Sequence, residues 1–304
     1  MSRITRDLEE MLERRQTASP YWPGVVAAAA LFLCFTGNYP RWVVMWTISL
    51  IFWSACKWAT WWDEVRCQNY APKRVLGYLF LWPGMNPQEF LGDKKPATPC
   101  ANEWIFAAVK MMFGAVLVWG VVRMIPTDDV LCRGWTGLIG LAFLFHFGGF
   151  HLLALQWQQA GVNAQPIMRA PVRATSLAEF WNRRWNIAFT QLAHRFVFQP
   201  LVRRLNPALA CLAVFLVSGL VHDVVISIPA GAGYGRPTAY FMVQGCAVLF
   251  ERSKIGRRLE LRHGWRGWLF VVVITVSPVF LLFHPPFIRN VILPMLTAIG
   301  ATGR

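Results

Sequence analysis

The heptapeptide VSGLVHD, Val217 to Asp223, places an imidazole and a carboxylate side by side within a long apolar run. Ionisable groups at membrane depth are costly and usually face a cavity or the interior of a helical bundle. Imidazole is also the side chain best suited to proton transfer near neutral pH. His222 is therefore a candidate general base, and Asp223 a candidate substrate contact. The simpler interpretation is a histidine bonded between helices, which the adjoining carboxylate weakens.

Two small residues precede this histidine on the same segment. Ser218 lies four residues before His222 and shares its face in a helix, which makes Ser218 a candidate substrate contact. Gly219 has no side chain, so it allows a neighbouring helix to approach closely. The segment thus predicts a close helix pair around His222.

A second segment whose side chains could bind or react with a substrate is FWNRRWN, Phe180 to Asn186. In a continuous helix its residues spaced by four form an amide face and an aromatic face, the latter with Trp181 and Trp185 as candidate substrate contacts. Arg183 and Arg184 match phosphate oxygens, since guanidinium forks bind them well. An interfacial anchor, with Trp in the headgroup belt and Arg on lipid phosphate, is the simpler interpretation.

The other ionisable groups give weaker signals. His146 and His151 are five residues apart across two glycines, a poor spacing for one helical face, so interhelical histidines are favoured over a metal pair. His151 is also a candidate for the lining of the cavity. The six histidines form no di-iron box, and Asp128 and Asp129 form no DxxD pair. We expect no metal and no resident cofactor.

The composition indicates which elements position these residues. The chain has 304 residues, of which 56% are hydrophobic and 15% charged, whereas soluble chains carry about 25% charged residues. The formal net charge of +15 is compatible with nucleic-acid binding. Basic membrane loops explain that charge better, because the cations lie between apolar runs and form no single tract. The seven cysteines include no CxxC motif, which argues against a disulfide scaffold or zinc site.

Apolar runs predict an all-α, polytopic integral membrane protein with about 7–9 transmembrane helices and additional interfacial or re-entrant helices. A last stretch, 291–299, is predicted as a surface or re-entrant segment. The seven runs are 22–37, 42–60, 103–125, 134–157, 206–228, 237–251 and 268–284.

Cationic loops alternate along the chain, which by the positive-inside rule predicts a cytoplasmic N-terminus and a C-terminus on the opposite side. Residues 77–92, with two prolines, are predicted as a re-entrant or interfacial piece. Residues 176–199 are predicted as one helix on the membrane surface, with Ser176 and Glu179 forming a capping box and Pro200 ending it.

These motifs together resemble the wax-synthase-like branch of the membrane-bound O-acyltransferases (MBOAT family). The similarity is carried by SLAEFWNRRWN, then an Arg-rich stretch ending FVFQPLVRRL, then FLVSGLVHD. LWPGMNP (81–87) and HPPFIRNVILP (284–294) also look like bacterial members of this branch. The resemblance covers most of residues 75–295.

The resemblance implies acyl transfer from acyl-CoA to an acceptor hydroxyl in a membrane, with His222 and Asn186 as the catalytic residues. His222 is then the general base, and Asn186 orients the donor or stabilises the oxyanion. Arg183, Arg184, Arg203 and Arg204 are expected to bind CoA phosphates, while Asn182 has no assigned role. A bacterial cytoplasmic membrane is the expected location, with acyl-CoA, the acceptor and lipid as partners and no nucleic acid.

Two domains are predicted: a cytoplasmic amphipathic segment, 1–20, and one membrane-embedded acyltransferase domain, 21–304. A transporter or lipid-binding membrane protein, in which His222 and Asp223 relay protons, is the alternative function. The identity of the acceptor, the length of the acyl chain and the oligomeric state stay open.

Overall fold

The computed structural model describes residues 37–65 and 70–303, and every regular element in these ranges is helical. The predicted all-α fold is therefore confirmed for this part of the chain. The segment 1–20 and the first apolar run, except for Gly37, lie outside the described residues. The chain divides into two compact units at Tyr39 and Pro40, and the helices below belong to the second unit.

Twelve helices follow one another along the described ranges. Helix α6 starts as Leu177–Glu179 and continues as the π-helical turn Phe180–Arg184, and α7 starts as Ile187–Ala193 and continues to Val202. Helix α12 starts as Pro285–Phe287 and continues to Ala298. The others are α1 Arg41–Val65, α2 Pro72–Leu81, α3 Pro87–Leu91, α4 Ala101–Met124, α5 Val130–Gln159, α8 Pro207–Ala230, α9 Arg236–Arg252, α10 Lys254–Arg258 and α11 Gly264–Leu282.

Five of these helices (α1, α4, α5, α8 and α11) are long and apolar enough to cross a bilayer. They match the second, third, fourth, fifth and seventh apolar runs. The sixth run forms α9, whose 17 residues are close to the shortest length that can cross a bilayer. Helix α9 also buries two polar residues, Gln244 and Glu251, both 0% exposed. It therefore contacts the rest of the bundle through polar as well as apolar side chains.

Local sequence signals set many helix starts. Asn206 accepts a hydrogen bond from the Leu209 N–H at 2.9 Å, and proline follows as the first residue of α8. Asn86 does the same for α3. A side-chain acceptor satisfies a free N–H at the helix start, and proline there loses no helical bond. These caps fix where the helix that carries His222 begins.

One face of the C-terminal helix α12 is buried in the bundle, and whether 291–299 is a surface or re-entrant segment stays a prediction. Leu296 is fully buried, and a Cβ added at Gly137 of α5 would lie 2.2 Å from its Cδ1 atom. A Cβ added at Gly134 of α5 would likewise lie 2.2 Å from the Ile288 Cγ2 atom. Small residues let two helices approach closely, and here they admit α12 into the bundle.

The segment 77–92 folds as the end of α2, a loop and α3, packed against the end of α5. Tyr78 and Phe90 are buried, and the Phe90 ring lies 5.0 Å from that of Trp157. Lys57 of α1, only 1% exposed, donates a hydrogen bond to the Gly84 carbonyl and lies over the Tyr78 ring. This buried cation attaches the loop to a transmembrane helix.

The prediction of one continuous helix over 176–199 is wrong. Helix α6 ends at Arg184, Trp185 is extended, and α7 begins after Asn186 in the left-handed region (φ 41°). Pro200 does not end α7, which continues to Val202. A π-helical turn, His194–Phe198, precedes this proline. Such turns commonly relieve local conflicts in helices.

Candidate active site

His222 lies in α8, near the position where α8 changes to a π-helical turn, Asp223–Ser227. Its Nδ1 atom lies 2.7 Å from the Ser218 carbonyl oxygen. Because a carbonyl only accepts, Nδ1 carries the proton and Nε2 holds the free lone pair. Nε2 makes no hydrogen bond to any described residue and keeps some accessible surface. This tautomer suits a general base.

The predicted neighbours of His222 act partly as expected. Gly219 gives close approach, since an added Cβ would lie 2.6 Å from the Thr238 Cα atom of α9. Ser218 lies one turn before His222 but contacts it through its backbone carbonyl, and its hydroxyl bonds the Val214 carbonyl at 2.9 Å. Its role as a substrate contact stays a prediction.

Asp223 is engaged by other parts of the protein. One carboxylate oxygen accepts hydrogen bonds from the Ser227 hydroxyl at 2.9 Å and the Gly235 N–H at 2.8 Å. The other accepts from the N–H of Thr238 at 3.1 Å and from the Thr238 hydroxyl. These four donors tie the end of α8 to the start of α9, so the structure gives Asp223 a positioning task in addition to its predicted substrate contact.

An aromatic bridge links His222 to the FWNRRWN segment. The His222 ring centroid lies 4.4 Å from that of Phe241 on α9. Phe241 lies 5.7 Å from Trp181, which also contacts Phe215 of α8 at 5.8 Å. The indole N–H of Trp181 is buried without a hydrogen-bond partner among the described residues. Both candidate motifs therefore share one packed region.

The two tryptophans of the motif point to different neighbours, contrary to the predicted aromatic face. Trp181 packs towards α8 and α9, whereas Trp185 stacks on Phe180 at 5.5 Å and contacts Phe147 of α5. The physical reason is that the π-helical turn ends at Arg184, so the spacing of four no longer describes one face. Asn182 is exposed and is likewise separated from Asn186 by this break.

Asn186 occupies a left-handed backbone conformation that few residues other than glycine adopt, asparagine being one of them. Its side-chain amide makes no hydrogen bond within the described part of the chain, while its backbone N–H approaches the Met168 sulfur at 3.3 Å. The adjoining Ile187 N–H donates to the Ile167 carbonyl at 3.0 Å. A fixed backbone thus presents an unengaged carboxamide.

Three carboxyl and hydroxyl groups hold the start of α6. Glu251 of α9 accepts the N–H groups of Leu177 and Ala178 at 2.7 and 3.0 Å. Ser176 accepts the Glu179 N–H at 3.0 Å, as the capping box predicts. The Glu179 carboxylate accepts from Thr175 rather than from Ser176, so the return bond of the box is shifted by one residue.

The predicted phosphate-binding arginines differ in availability. Arg184 pairs with Glu179 at 2.6 Å and donates to the carbonyls of Arg169 and Ala170. Arg183 is exposed and makes no hydrogen bond or ion pair with a described residue. Arg203 and Arg204, after α7, are exposed as well. Arg184 therefore supports the fold, whereas the other three guanidinium groups are exposed, and the phosphate contacts of all four stay predictions.

A small cleft lies next to Ile187 and Ala188 at the start of α7, and its cavity volume of about 20 Å³ is the space of about one water molecule. Its walls come from the loop before α3, the segment 163–169, and helix α7, and Asn186 is not among the residues that line it. Several polar side chains converge in it. The polar lining residues are Asn86, Glu89, Asn163, Gln165, Arg169 and Gln191.

His151 lies apart from the contacts described above. Its Nδ1 is 2.7 Å from the Lys110 ammonium of α4. No contact within residues 37–65 and 70–303 joins it to His222, and its role in the cavity stays a prediction. Across the same ranges, no group of three histidine, cysteine or acidic side chains is arranged to hold a metal ion.

Over the described residues, the protein is all-helical with five helices long and apolar enough to cross a membrane, and the helix that carries His222 packs through aromatic rings against the segment that carries Trp181. Residues 164–244 match the profile described as "Membrane bound O-acyl transferase family". The matched segment includes Trp181, Asn186 and His222. The resemblance to the membrane-bound O-acyltransferases, predicted from the motifs, is thus confirmed.

The relatives refine this similarity to the wax-synthase-like branch. The chain is 29% identical over 147 residues to "Probable long-chain-alcohol O-fatty-acyltransferase 2" of Arabidopsis thaliana, covering 45% of the chain and 43% of that protein. It is 29% identical over 205 residues to "Probable long-chain-alcohol O-fatty-acyltransferase 9" of Arabidopsis thaliana, covering 61% of the chain and 58% of that protein. It is 30% identical over 145 residues to "Long-chain-alcohol O-fatty-acyltransferase" of Simmondsia chinensis, covering 43% and 40%. The chain thus spans about half the length of these curated relatives.

The sequence analysis does not identify three residues of this region. Phe241 and Glu251 lie in an apolar run, and His284 lies in a short tail. The pairing of α9 with α6 and α8 reveals the contacts of Glu251 and Phe241, and the packing of α12 against α8 reveals that of His284. An acidic residue within an apolar run, as Glu251 is, was a usable signal, because buried charges need partners.

Proposed function

We propose that this protein is an integral-membrane O-acyltransferase that moves an acyl group from acyl-CoA to an alcohol hydroxyl. The observation that carries the proposal is the 2.7 Å contact between His222 Nδ1 and the Ser218 carbonyl oxygen, which assigns the proton to Nδ1 and leaves Nε2 free beside the Phe241 ring. The relatives' names favour a long-chain alcohol as the acceptor. A membrane setting accords with the five candidate spans.

In the proposed reaction, His222 Nε2 takes the proton of the acceptor hydroxyl as its oxygen attacks the thioester carbonyl carbon. The new C–O bond forms, the C–S bond breaks, and the departing CoA thiolate takes the proton from the imidazolium. The products are an ester and free CoA. Proton transfer of this kind typically contributes about 10²–10⁴-fold to the rate. The step requires neither a metal nor a resident cofactor.

Asn186 is proposed to hold the donor or to bond the developing oxyanion, because its carboxamide is unengaged and its backbone is fixed by α7 and by residue 167. A single such donor contributes on the order of 3 kcal/mol in other acyl-transfer sites. The exposed guanidinium groups of Arg183, Arg203 and Arg204 are the proposed contacts for the CoA phosphates. Trp181 supplies a second N–H without a partner.

We keep a cytoplasmic N-terminus as part of the proposal, since it places the cationic loops on the side where acyl-CoA is found. The compared relatives are plant proteins, so they do not support the bacterial membrane that the motifs suggested.

The proposal is tested with purified protein in lipid nanodiscs, given palmitoyl-CoA with or without 1-hexadecanol. Free thiol is followed by absorbance, and hexadecyl palmitate by mass spectrometry. We expect thiol release that depends on the alcohol, and a loss of about 10²–10⁴-fold in His222→Ala without a change in melting temperature. His263→Ala is the matched control, because His263 is exposed in a loop.

Three outcomes contradict the proposal. Full turnover in His222→Ala removes the general base. Thiol release that ignores the alcohol indicates hydrolysis rather than transfer. Solute flux across the membrane without thiol release favours a transporter.

A further inference from the structure

Behind His222, a buried polar network joins three segments of the chain. Ser227 and His284 are both 0% exposed, and the Ser227 hydroxyl lies 3.3 Å from His284 Nε2. The same hydroxyl lies 2.9 Å from an Asp223 carboxylate oxygen. A buried network of this kind is stable only when all its members have partners, and these do.

The network has one direction of hydrogen bonding. His284 Nδ1 accepts the Phe287 N–H at 3.2 Å, so the ring proton is on Nε2, which donates to Ser227. Ser227 then donates to Asp223, the acceptor at the end. Burial, together with the nearby Arg236 guanidinium, lowers the pKa of His284 against the opposing effect of Asp223, which accords with a neutral ring.

The ring has little room to occupy any other position. Gly233, with φ of +81°, faces it so closely that an added Cβ would lie 2.5 Å from the imidazole. A left-handed glycine is therefore needed for the ring to reach Ser227.

This arrangement is not that of a nucleophilic triad. In such a triad the serine donates to histidine, whereas here Ser227 receives from His284 and donates to Asp223. Both Ser227 and His284 are enclosed by protein. The network therefore has a supporting rather than a reacting role.

What it supports is the environment of His222. Asp223 directly follows His222, and its carboxylate also binds Gly235 and Thr238 at the start of α9. Phe241, three residues after Thr238, packs against the His222 ring. Moving Asp223 therefore moves both the backbone that carries the imidazole and the aromatic wall beside it.

We propose that His284 and Ser227 are positioning residues for His222, acting through Asp223 and the start of α9. This inference rests on the proposed acyltransferase function. Small errors in the position of a catalytic group cost up to about 10²-fold in rate, so the effect is expected in kcat rather than in KM for the donor.

Two conservative variants separate this role from simple helix capping. In His284→Asn, the side-chain oxygen lies near the former Nδ1 position and still accepts the Phe287 N–H, which keeps the helix cap. The shorter side chain does not reach Ser227. The Gln side chain of His284→Gln extends an amide N–H to the Nε2 position and loses the cap. Matched controls are His263→Asn and His263→Gln at an exposed loop position.

We expect His284→Asn and Ser227→Ala to lower kcat for palmitoyl-CoA and 1-hexadecanol about tenfold, with KM for palmitoyl-CoA within about twofold of the parent. His284→Gln keeps kcat within about threefold because it restores the donor to Ser227. Ser277→Ala, at an exposed position, is the control for Ser227→Ala. Melting temperatures of all variants identify any that fail to fold.

The reverse order, with His284→Asn active and His284→Gln impaired, overturns the inference and assigns His284 to capping alone. Unchanged kcat in Ser227→Ala also overturns it. Absence of acyl transfer in the parent protein instead overturns the proposed function on which the inference rests, so the two failures are distinguishable.

Discussion

The two ends of the candidate site are built on opposite plans. Around His222, every polar group of Asp223, Ser227 and His284 has a partner, and close helix contacts leave little freedom. Around Asn186, the helix breaks and the carboxamide makes no hydrogen bond within the described residues. Under the proposed function, the base needs a fixed position and tautomer, whereas the donor contact needs a free polar group. The two regions differ in the way that these two proposed roles require.

The largest effect is expected at the open end, with Asn186→Gly. Glycine accepts φ of 41° without strain, so the fold is retained while the carboxamide is lost. We expect kcat for acyl transfer to fall about 10²-fold, in line with the loss of one oxyanion donor. Melting temperature is measured alongside, with Ala170→Gly, at φ 46°, as the control. Full activity would show that only the backbone of Asn186 matters.

An intermediate effect is expected at the packed end, with Gly219→Ala. The added Cβ would lie 2.6 Å from the Thr238 Cα atom, and such overpacking typically costs about 1–3 kcal/mol. Thermal unfolding followed by tryptophan fluorescence measures the loss. Gly120→Ala is the control, because its Cβ would meet only a Val116 methyl at 3.7 Å. Equal melting temperatures for the two variants would mean that α8 and α9 are not tightly packed.

The smallest effect concerns the ion pair that joins the two ends of α6. Although burial acts the other way, the Thr175 N–H and the Arg184 guanidinium lower the pKa of Glu179 below its ordinary 4.5. A lowered folded-state pKa contributes stability above pH 4.5, and that stability is lost as the pH falls from 4.5 through the folded value.

Glu179→Gln is therefore expected to melt slightly below the parent at pH 7, by the equivalent of about 0.5–1 kcal/mol, given the partial exposure of the pair. The difference should become smaller as the pH falls below 4.5. A difference that stays constant with pH would show that packing rather than charge explains the effect.

The motifs predict His222 and Asn186 as the catalytic residues, and these roles stay predictions. The structure packs their two segments together through Trp181 and Phe241. The break at Trp185 was missed because it depends on tertiary contacts, among them the pairing of Ile187 with Ile167. Helical periodicity carries no trace of such contacts.

His284 was missed for a related reason. Its partner Ser227 lies 57 residues earlier in the chain, and the sequence around His284 contains no pattern that predicts the contact. The sixth apolar run is short, and its hydropathy leaves open whether it spans the membrane. The buried Glu251 and Gln244 show that α9 also makes polar contacts inside the bundle, which an average over residues does not reveal.

The π-helical turn Asp223–Ser227 closes a helical loop with one residue more than an α-helical turn. One residue corresponds to about 100° of rotation around a helix axis. The face of α8 that packs against α9 before the turn is therefore rotated relative to the face that the same residue spacing gives after the turn. In α8 this phase change lets His222 face an aromatic wall while Ser227, five residues later, is directed to the C-terminal tail.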